Sequence, residues 1–171
     1  MDALFKNKNL AMLAGGTASL MTGGKLTALG LFARGLYGLE EQWREAHPEF
    51  EGGLAERWKI AIDFYEQTHQ DGVNRALHTV GIPMILGGAI GLLIAPSYTP
   101  PWWAANASWS IGWTLNFVGH AFEGKSPAFA ADPLSFVAGP VWDFMRLRDK
   151  LTGRRAEAEP AEAPVPAVAT A

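Results

Sequence analysis

The sequence has no cysteine, which excludes disulfides, Cys-ligated zinc and a thiol nucleophile. It is also poor in charge. Only 18% of its 171 residues are Asp, Glu, Lys or Arg, against 49% apolar, where an ordinary soluble domain carries about 25% charged residues. The net charge of -3 leaves no basic excess for a nucleic-acid partner. Charge is missing altogether from one long stretch: the 47 residues between Arg75 and Glu123 include no Asp, Glu, Lys or Arg. Acidic residues gather just before it, over 40–75, and basic ones after it, over 144–155. A charge-free interior with charged flanks points to a small membrane protein.

Within that stretch, residues 77–95 form an apolar run that spans about 28 Å as a helix, close to a hydrocarbon core of about 30 Å. Pro83 lies inside it, where a membrane helix tolerates proline better than a soluble one. The segment 96–101 is a turn, and Trp102 and Trp103 then open a second helix over 103–122 in the manner of an interfacial aromatic belt. Asn106, Ser108, Ser110, Thr114 and Asn116 interrupt that helix, so it should turn these side chains toward protein. Together the two make a tight antiparallel hairpin. Arg75 and Lys125 sit at its open end and its closed end is uncharged, which puts the open end in the cytoplasm.

Upstream, Leu54, Trp58, Ala61, Ile62 and Tyr65 recur at helical spacing opposite Glu56, Lys59, Asp63 and Glu66, giving an amphipathic helix over 54–69 that Asp71-Gly72 ends. Residues 10–39, split by Gly23-Gly24-Lys25, read as a helical hairpin whose halves are short for a full span. Downstream, Asp132-Pro133 reads as N-cap and first residue of a helix over 133–150. The expected architecture is all-α: a small multi-helix integral membrane bundle with a central transmembrane hairpin and an amphipathic helix before it. One domain covers 1–152, and the Ala/Pro/Glu tail over 153–171 reads as disordered.

The candidate chemistry rests on histidine. His69 ends the amphipathic helix, His78 lies near the start of the first membrane helix, and His120 lies near the end of the second. Because the hairpin is antiparallel, its start and end meet at one membrane surface, so these three and Glu123 should converge there. Asn74 precedes His78 by one turn, Asn116 precedes His120 by one turn, and Glu123 follows it by three residues. Imidazole with carboxylate and no sulfur suits Fe(II), with Mn or Zn as alternatives. The bland readings stand beside this one. A histidine at a helix end serves equally as a cap, Glu123 as an interfacial charge paired with Lys125, and His47 as a solvated loop side chain. Ionisable groups at membrane depth are costly and usually functional, which favours a role for His78 and His120.

The two-part pattern Tyr65-x3-His69-x4-Asn74-x3-His78-x2-Gly81-x-Pro83 and Gly119-His120-x2-Glu123-x3-Pro127-Ala128 resembles the 2-hydroxy fatty acid dioxygenase family, membrane proteins that take phytosphingosine breakdown products to odd-numbered fatty acids. The resemblance covers about 60–145, and the first 50 residues bring no motif of their own. Many members have a further histidine two residues after the first, where this chain has Asp71, a substitute oxygen ligand or a change in the ligand set. The resemblance implies an Fe(II)- and O2-dependent alpha-oxidation in which a 2-hydroxy fatty acid loses C1. On that reading His69, His78 and His120 hold the metal, and Asn74, Asn116 and Glu123 orient imidazoles, with direct ligation by Glu123 as the alternative. Arg75 or Lys125 pairs with the substrate carboxylate, and the acyl chain lies along Trp113, Phe117 and Phe122. The partners are membrane lipid and substrate, and the site faces the cytoplasm, at an inner membrane or an endoplasmic reticulum. Two other functions fit the residues: a non-catalytic membrane lipid-binding or scaffold protein, and a metal-dependent lipid hydrolase. The absence of a Ser or Cys nucleophile beside a histidine weighs against covalent hydrolysis.

Overall fold

The structure is a computed structural model that describes residues 7–153; the sequence-expected tail from 154 onward lies outside the described residues. The described residues form six α-helices and one short 3-10 turn, with no strand. They are α1 (Lys8–Met21), α2 (Lys25–Ala46), α3 (Leu54–Gln67), α4 (Gly72–Ile94), α5 (Pro100–Glu123), the turn Ala128–Ala130, and α6 (Ser135–Leu151).

The charge-free stretch becomes the α4–α5 hairpin. α4 begins five residues before the apolar run, because Asp71 caps it: one carboxylate oxygen accepts the Val73 and Asn74 N–H groups at 2.8 and 2.9 Å. The two helices approach backbone to backbone. A Cβ on Gly88 would meet the Trp109 nitrogen at 2.6 Å, and one on Gly112 would meet the Gly81 carbonyl at 2.7 Å. Glycine at such a crossing is the usual device for close membrane-helix packing. Among the described residues α4 alone is long and apolar enough to cross a membrane. α5 is as long but more polar, so length and composition give one span where the sequence reading expected two.

Most of the polar groups on α5 do face protein. Asn106 donates to the Met21 carbonyl at 3.0 Å and Ser108 to the Met84 carbonyl at 2.9 Å. Thr114 differs: it is exposed and donates back to its own helix at Ser110. Trp102 and Trp103 also part company. Trp103 is exposed, as a belt residue should be, but Trp102 is fully buried in the core.

The N-terminal segment is a helical hairpin, and it is fastened to the rest at both ends. At its turn, Leu20 and Ala28 join Ile85, Leu92, Trp102, Ala105 and Trp109 in the main core, Tyr98 donates to the Thr22 carbonyl, and Lys25 to the Ala95 carbonyl. The closed end of the α4–α5 hairpin therefore has a cation beside it after all, supplied by α2. At the other end Arg57 of α3, with no exposed surface, lies 3.6 Å above the Trp43 ring and between two carboxylates. Its guanidinium donates to Glu40 of α2 at 3.0 Å and to Asp132 at 2.9 Å. Burying a guanidinium is tolerable only when it is matched in this way. That pairing explains a difference from expectation: Asp132 still accepts the Leu134 N–H at 3.0 Å, but its main partner is Arg57 and α6 starts at Ser135, not Pro133.

Candidate metal centre

Three elements deliver one histidine each. α3 ends at Gln67, and His69 follows one residue beyond the capping Thr68; His78 lies in the second turn of α4, and His120 in the last turn of α5. All three are buried, at 2%, 3% and 7% exposure. One ring nitrogen of each lies within 4.8 Å of the others. The ring centroids are 4.7, 4.8 and 4.9 Å apart and the planes are near perpendicular, so the rings wall three sides of one point.

The local hydrogen bonds decide which nitrogens face inward. His69 Nδ1 lies 2.7 Å from the Tyr65 carbonyl and His78 Nδ1 lies 3.0 Å from the Asn74 carbonyl, each one helical turn back. A carbonyl can only accept, so both Nδ1 atoms carry the proton and both Nε2 atoms present lone pairs. Those two Nε2 atoms are 3.3 Å apart. Two lone pairs at that distance repel unless something positive lies between them. His120 Nδ1 is buried with no hydrogen-bond partner. Burial pushes the His69 pKa down to about 3, and the neighbouring rings push the same way, so the imidazole is neutral at physiological pH. Neutral, converging, unsatisfied imidazoles are the form a divalent transition metal requires.

A family model for the 2-hydroxy-palmitic acid dioxygenase Mpo1-like proteins matches residues 55–154. The chain belongs to that family. No curated protein and no solved structure matches it. The Mpo1-like region begins at α3 and includes all three histidines, and it leaves the α1–α2 hairpin outside.

Several residues expected at the Mpo1-like site have other positions. Glu123 does not join the nitrogen cluster and touches no imidazole nitrogen by hydrogen bond. Its carboxylate accepts the Gln70 N–H at 2.8 Å, the Asn74 side-chain amide at 2.6 Å, the Asp71 N–H at 3.4 Å and Lys125 Nζ at 3.3 Å. With its side chain 3% exposed it is no solvated surface charge; it clamps the segment that carries His69 onto α4 and α5. Asp71 is committed to capping α4 and is also absent from the cluster. Asn74 serves His78 through its main-chain carbonyl, and its side chain serves Glu123. Asn116 is buried beside the cavity, with a side-chain oxygen that has no partner, and makes no bond to an imidazole. His47 is stacked on Trp43 at 4.2 Å, half-buried instead of solvated, and apart from the cluster.

A cavity of about 90 Å³ opens beside His69, His78 and His120. Trp113 and Phe117 line it as expected, together with Phe129 and Phe136 from the segment after α5. Phe122 does not; it is 65% exposed on the other side of α5. Neither do Arg75 and Lys125. Arg75 borders a separate hollow with Asp143 and Arg146, and Lys125 donates to the Gln67 carbonyl and Glu123. Sequence reasoning missed Tyr65 as a site residue. Its ring stacks on His69 at 3.8 Å and its hydroxyl donates to Asp143 at 2.5 Å, so α6 braces the His69 ring through it. The usable signal was the four-residue spacing from Tyr65 to His69, with Asp143 as the one acid in the apolar first half of α6.

Proposed function

We propose that the protein is a membrane-embedded Fe(II)-dependent dioxygenase that converts a 2-hydroxy fatty acid into the fatty acid one carbon shorter. The observation that carries this is the convergence of three buried imidazoles at the base of an apolar cavity, in a chain of the Mpo1-like family. The α4–α5 hairpin would lie in the bilayer with its histidine end toward the cytoplasm, at an inner membrane or an endoplasmic reticulum. Arg75 and Lys125 at that end support the orientation, outnumbering Lys25 at the other.

His69, His78 and His120 would hold the metal, which supplies O2 activation and a seat for the chelating 2-hydroxycarboxylate. The chain's own residues do the rest. The Tyr65 and Asn74 carbonyls hold the imidazole protons on Nδ1 and keep both Nε2 lone pairs inward. Glu123 and the Tyr65 stack fix the His69 segment. Trp113, Phe117, Phe129 and Phe136 shut water out and guide the acyl chain. The overall change balances without a further reductant: RCH(OH)COOH and O2 give RCOOH, CO2 and water. The C1–C2 bond breaks, the substrate gives up four electrons, and O2 accepts them.

The test is anaerobic Fe(II) loading of the purified full chain, then O2 and 2-hydroxypalmitate, with pentadecanoate followed by mass spectrometry. O2-dependent product is expected, with loss of both iron and turnover in His69→Ala, His78→Ala and His120→Ala and neither in His47→Ala. Turnover of a lipid without O2 would indicate the hydrolase, and a protein that retains no metal would indicate the scaffold.

A further inference from the structure

A second, larger apolar groove, about 320 Å³, lies beside the first. On one side it is walled by α5 and the aromatic residues after it. On the other it is walled by the N-terminal hairpin: Leu10, Leu13, Ala14 and Thr17 of α1 and Phe32 of α2. The two cavities share Trp113, Phe117, Phe129 and Phe136. Trp113 stands among the other three at ring distances of 5.5, 5.8 and 6.1 Å, an aromatic seam along which the two cavities adjoin, with the histidines on one side and α1 on the other.

We propose that this groove receives the distal part of the substrate's acyl chain, so that α1, which lies outside the family-matched region, sets the chain length the enzyme accepts. The inference rests on the function proposed above. Three observations carry it. The hairpin is fastened to the core at both ends, through Met21 and Lys25 at one and Glu40 at the other, yet its middle stands off from α5 and leaves an apolar gap. The gap continues the metal-side cavity, which at about 90 Å³ is too small for a long acyl chain, whereas a site of about 320 Å³ falls in the usual ligand range of about 300–1,000 Å³. The lining is apolar apart from the Thr17 and Ser110 hydroxyls, and Ser110 is already bonded to the Asn106 carbonyl. No charge there could hold a headgroup, so the occupant is hydrocarbon. Ala14 is exposed and marks a lateral opening by which a chain could slide in from the bilayer.

Two measurements test this on the full-length holoenzyme. In the first, turnover is profiled against 2-hydroxy fatty acids of eight to eighteen carbons for the wild type, for Ala14→Phe and Thr17→Phe, which fill the groove, and for Leu10→Ala, which widens it. The fillers should lower kcat/KM for the longest chains by at least about tenfold relative to the shortest, and the widened variant should shift the preference toward longer chains. In the second, a fatty acid with a diazirine at its terminal carbon is photolysed on the protein, with excess 2-hydroxypalmitate as competitor, and the adducts are mapped. Competed adducts within 10–21 or at Phe32 are expected. A length profile unmoved by all three variants, with competed adducts only outside the hairpin, would overturn the groove and leave the dioxygenase reading intact. Adducts on α1 in a protein that turns over no 2-hydroxy acid would do the reverse. Photolabelling needs no catalysis, so it decides the matter even if a filler fails to fold.

Discussion

Replacing Glu123 by glutamine keeps the shape of the side chain and removes its charge. The carboxylate faces four donors, two on each oxygen: Gln70 N–H and Lys125 on one, the Asn74 amide and Asp71 N–H on the other. Glutamine offers one oxygen and one NH2, so whichever way it turns, one pair of donors meets a donor. Losing one buried charge-assisted hydrogen bond costs about 1.5–3 kcal/mol and losing the half-exposed Lys125 pair at most about 1, for a total of about 2–4 kcal/mol. Metal binding should suffer without being abolished. Gln70 is the residue next to His69, and a slackened support for a ligand typically lowers affinity about 10–100-fold. The assays are chemical unfolding in detergent and a titration with Fe(II), with Lys125→Met as the comparison that removes the weak pair and the Lys125 bond to the Gln67 carbonyl but leaves the carboxylate and its three other donors in place. A variant that holds no iron at any concentration would make Glu123 a direct ligand and refute the geometry. One that matches the wild type in both stability and affinity would refute the clamp.

Other outcomes follow from the same structure. Gly88→Ala should destabilise the hairpin by about 1–3 kcal/mol, because the new methyl would press on the main chain of α5 at Trp109, which cannot move aside as a side chain would; unchanged thermal unfolding would show that the crossing is looser than described. Burial pushes the Asp143 pKa up to about 6, above the usual carboxylate value, against the pull of the Tyr65 hydroxyl, Arg75 and Arg146. A raised acid costs stability once it is ionised, so the wild type should gain stability from this group as pH falls from 7 to 5, and Asp143→Asn should lose that gain; parallel Tm profiles would exclude it. In this cysteine-free chain, Ser97→Cys should react with an impermeant thiol reagent only from the non-cytoplasmic side, and labelling from the cytoplasm alone would invert the topology.

The site was more legible than its surroundings. Helical periodicity and the antiparallel return of α5 on α4 suffice to bring His69, His78 and His120 to one end, since these depend on spacing within elements whose existence the apolar runs announce. The partners of the polar groups did not follow in the same way. Glu123 and Asn74 are on one helix face with the histidines, and facing is all that spacing tells; which donor each oxygen meets depends on the path of 69–71 between two helices. Asp132 shows the same limit. Asp-Pro is a sound local signal for a helix start, but a buried guanidinium 75 residues away in sequence outbids the helix for that carboxylate. Arg75 and Lys125 were assigned to the substrate by charge alone, and the structure gives their neighbourhoods to Trp142, Asp143 and Glu123. The aromatic lining from Phe129 and Phe136 carried no periodic signal, because these residues straddle a turn and the start of a helix.

Arg57 sets a practical limit on how the site can be moved to another protein. A fragment cut to the family-matched borders, 55–154, would keep this fully buried guanidinium together with Asp132 but strip away Glu40, which takes the other side of the fork, and Trp43, which covers its face. The same cut would bare Ala105 and Trp109, which pack against Leu20 and Ala28. The unit that is inherited and the unit that is physically self-sufficient therefore have different borders in this chain. A chimera or minimal enzyme built around the three histidines has to start upstream of the hairpin, or else provide the orphaned arginine with a second carboxylate and a roof.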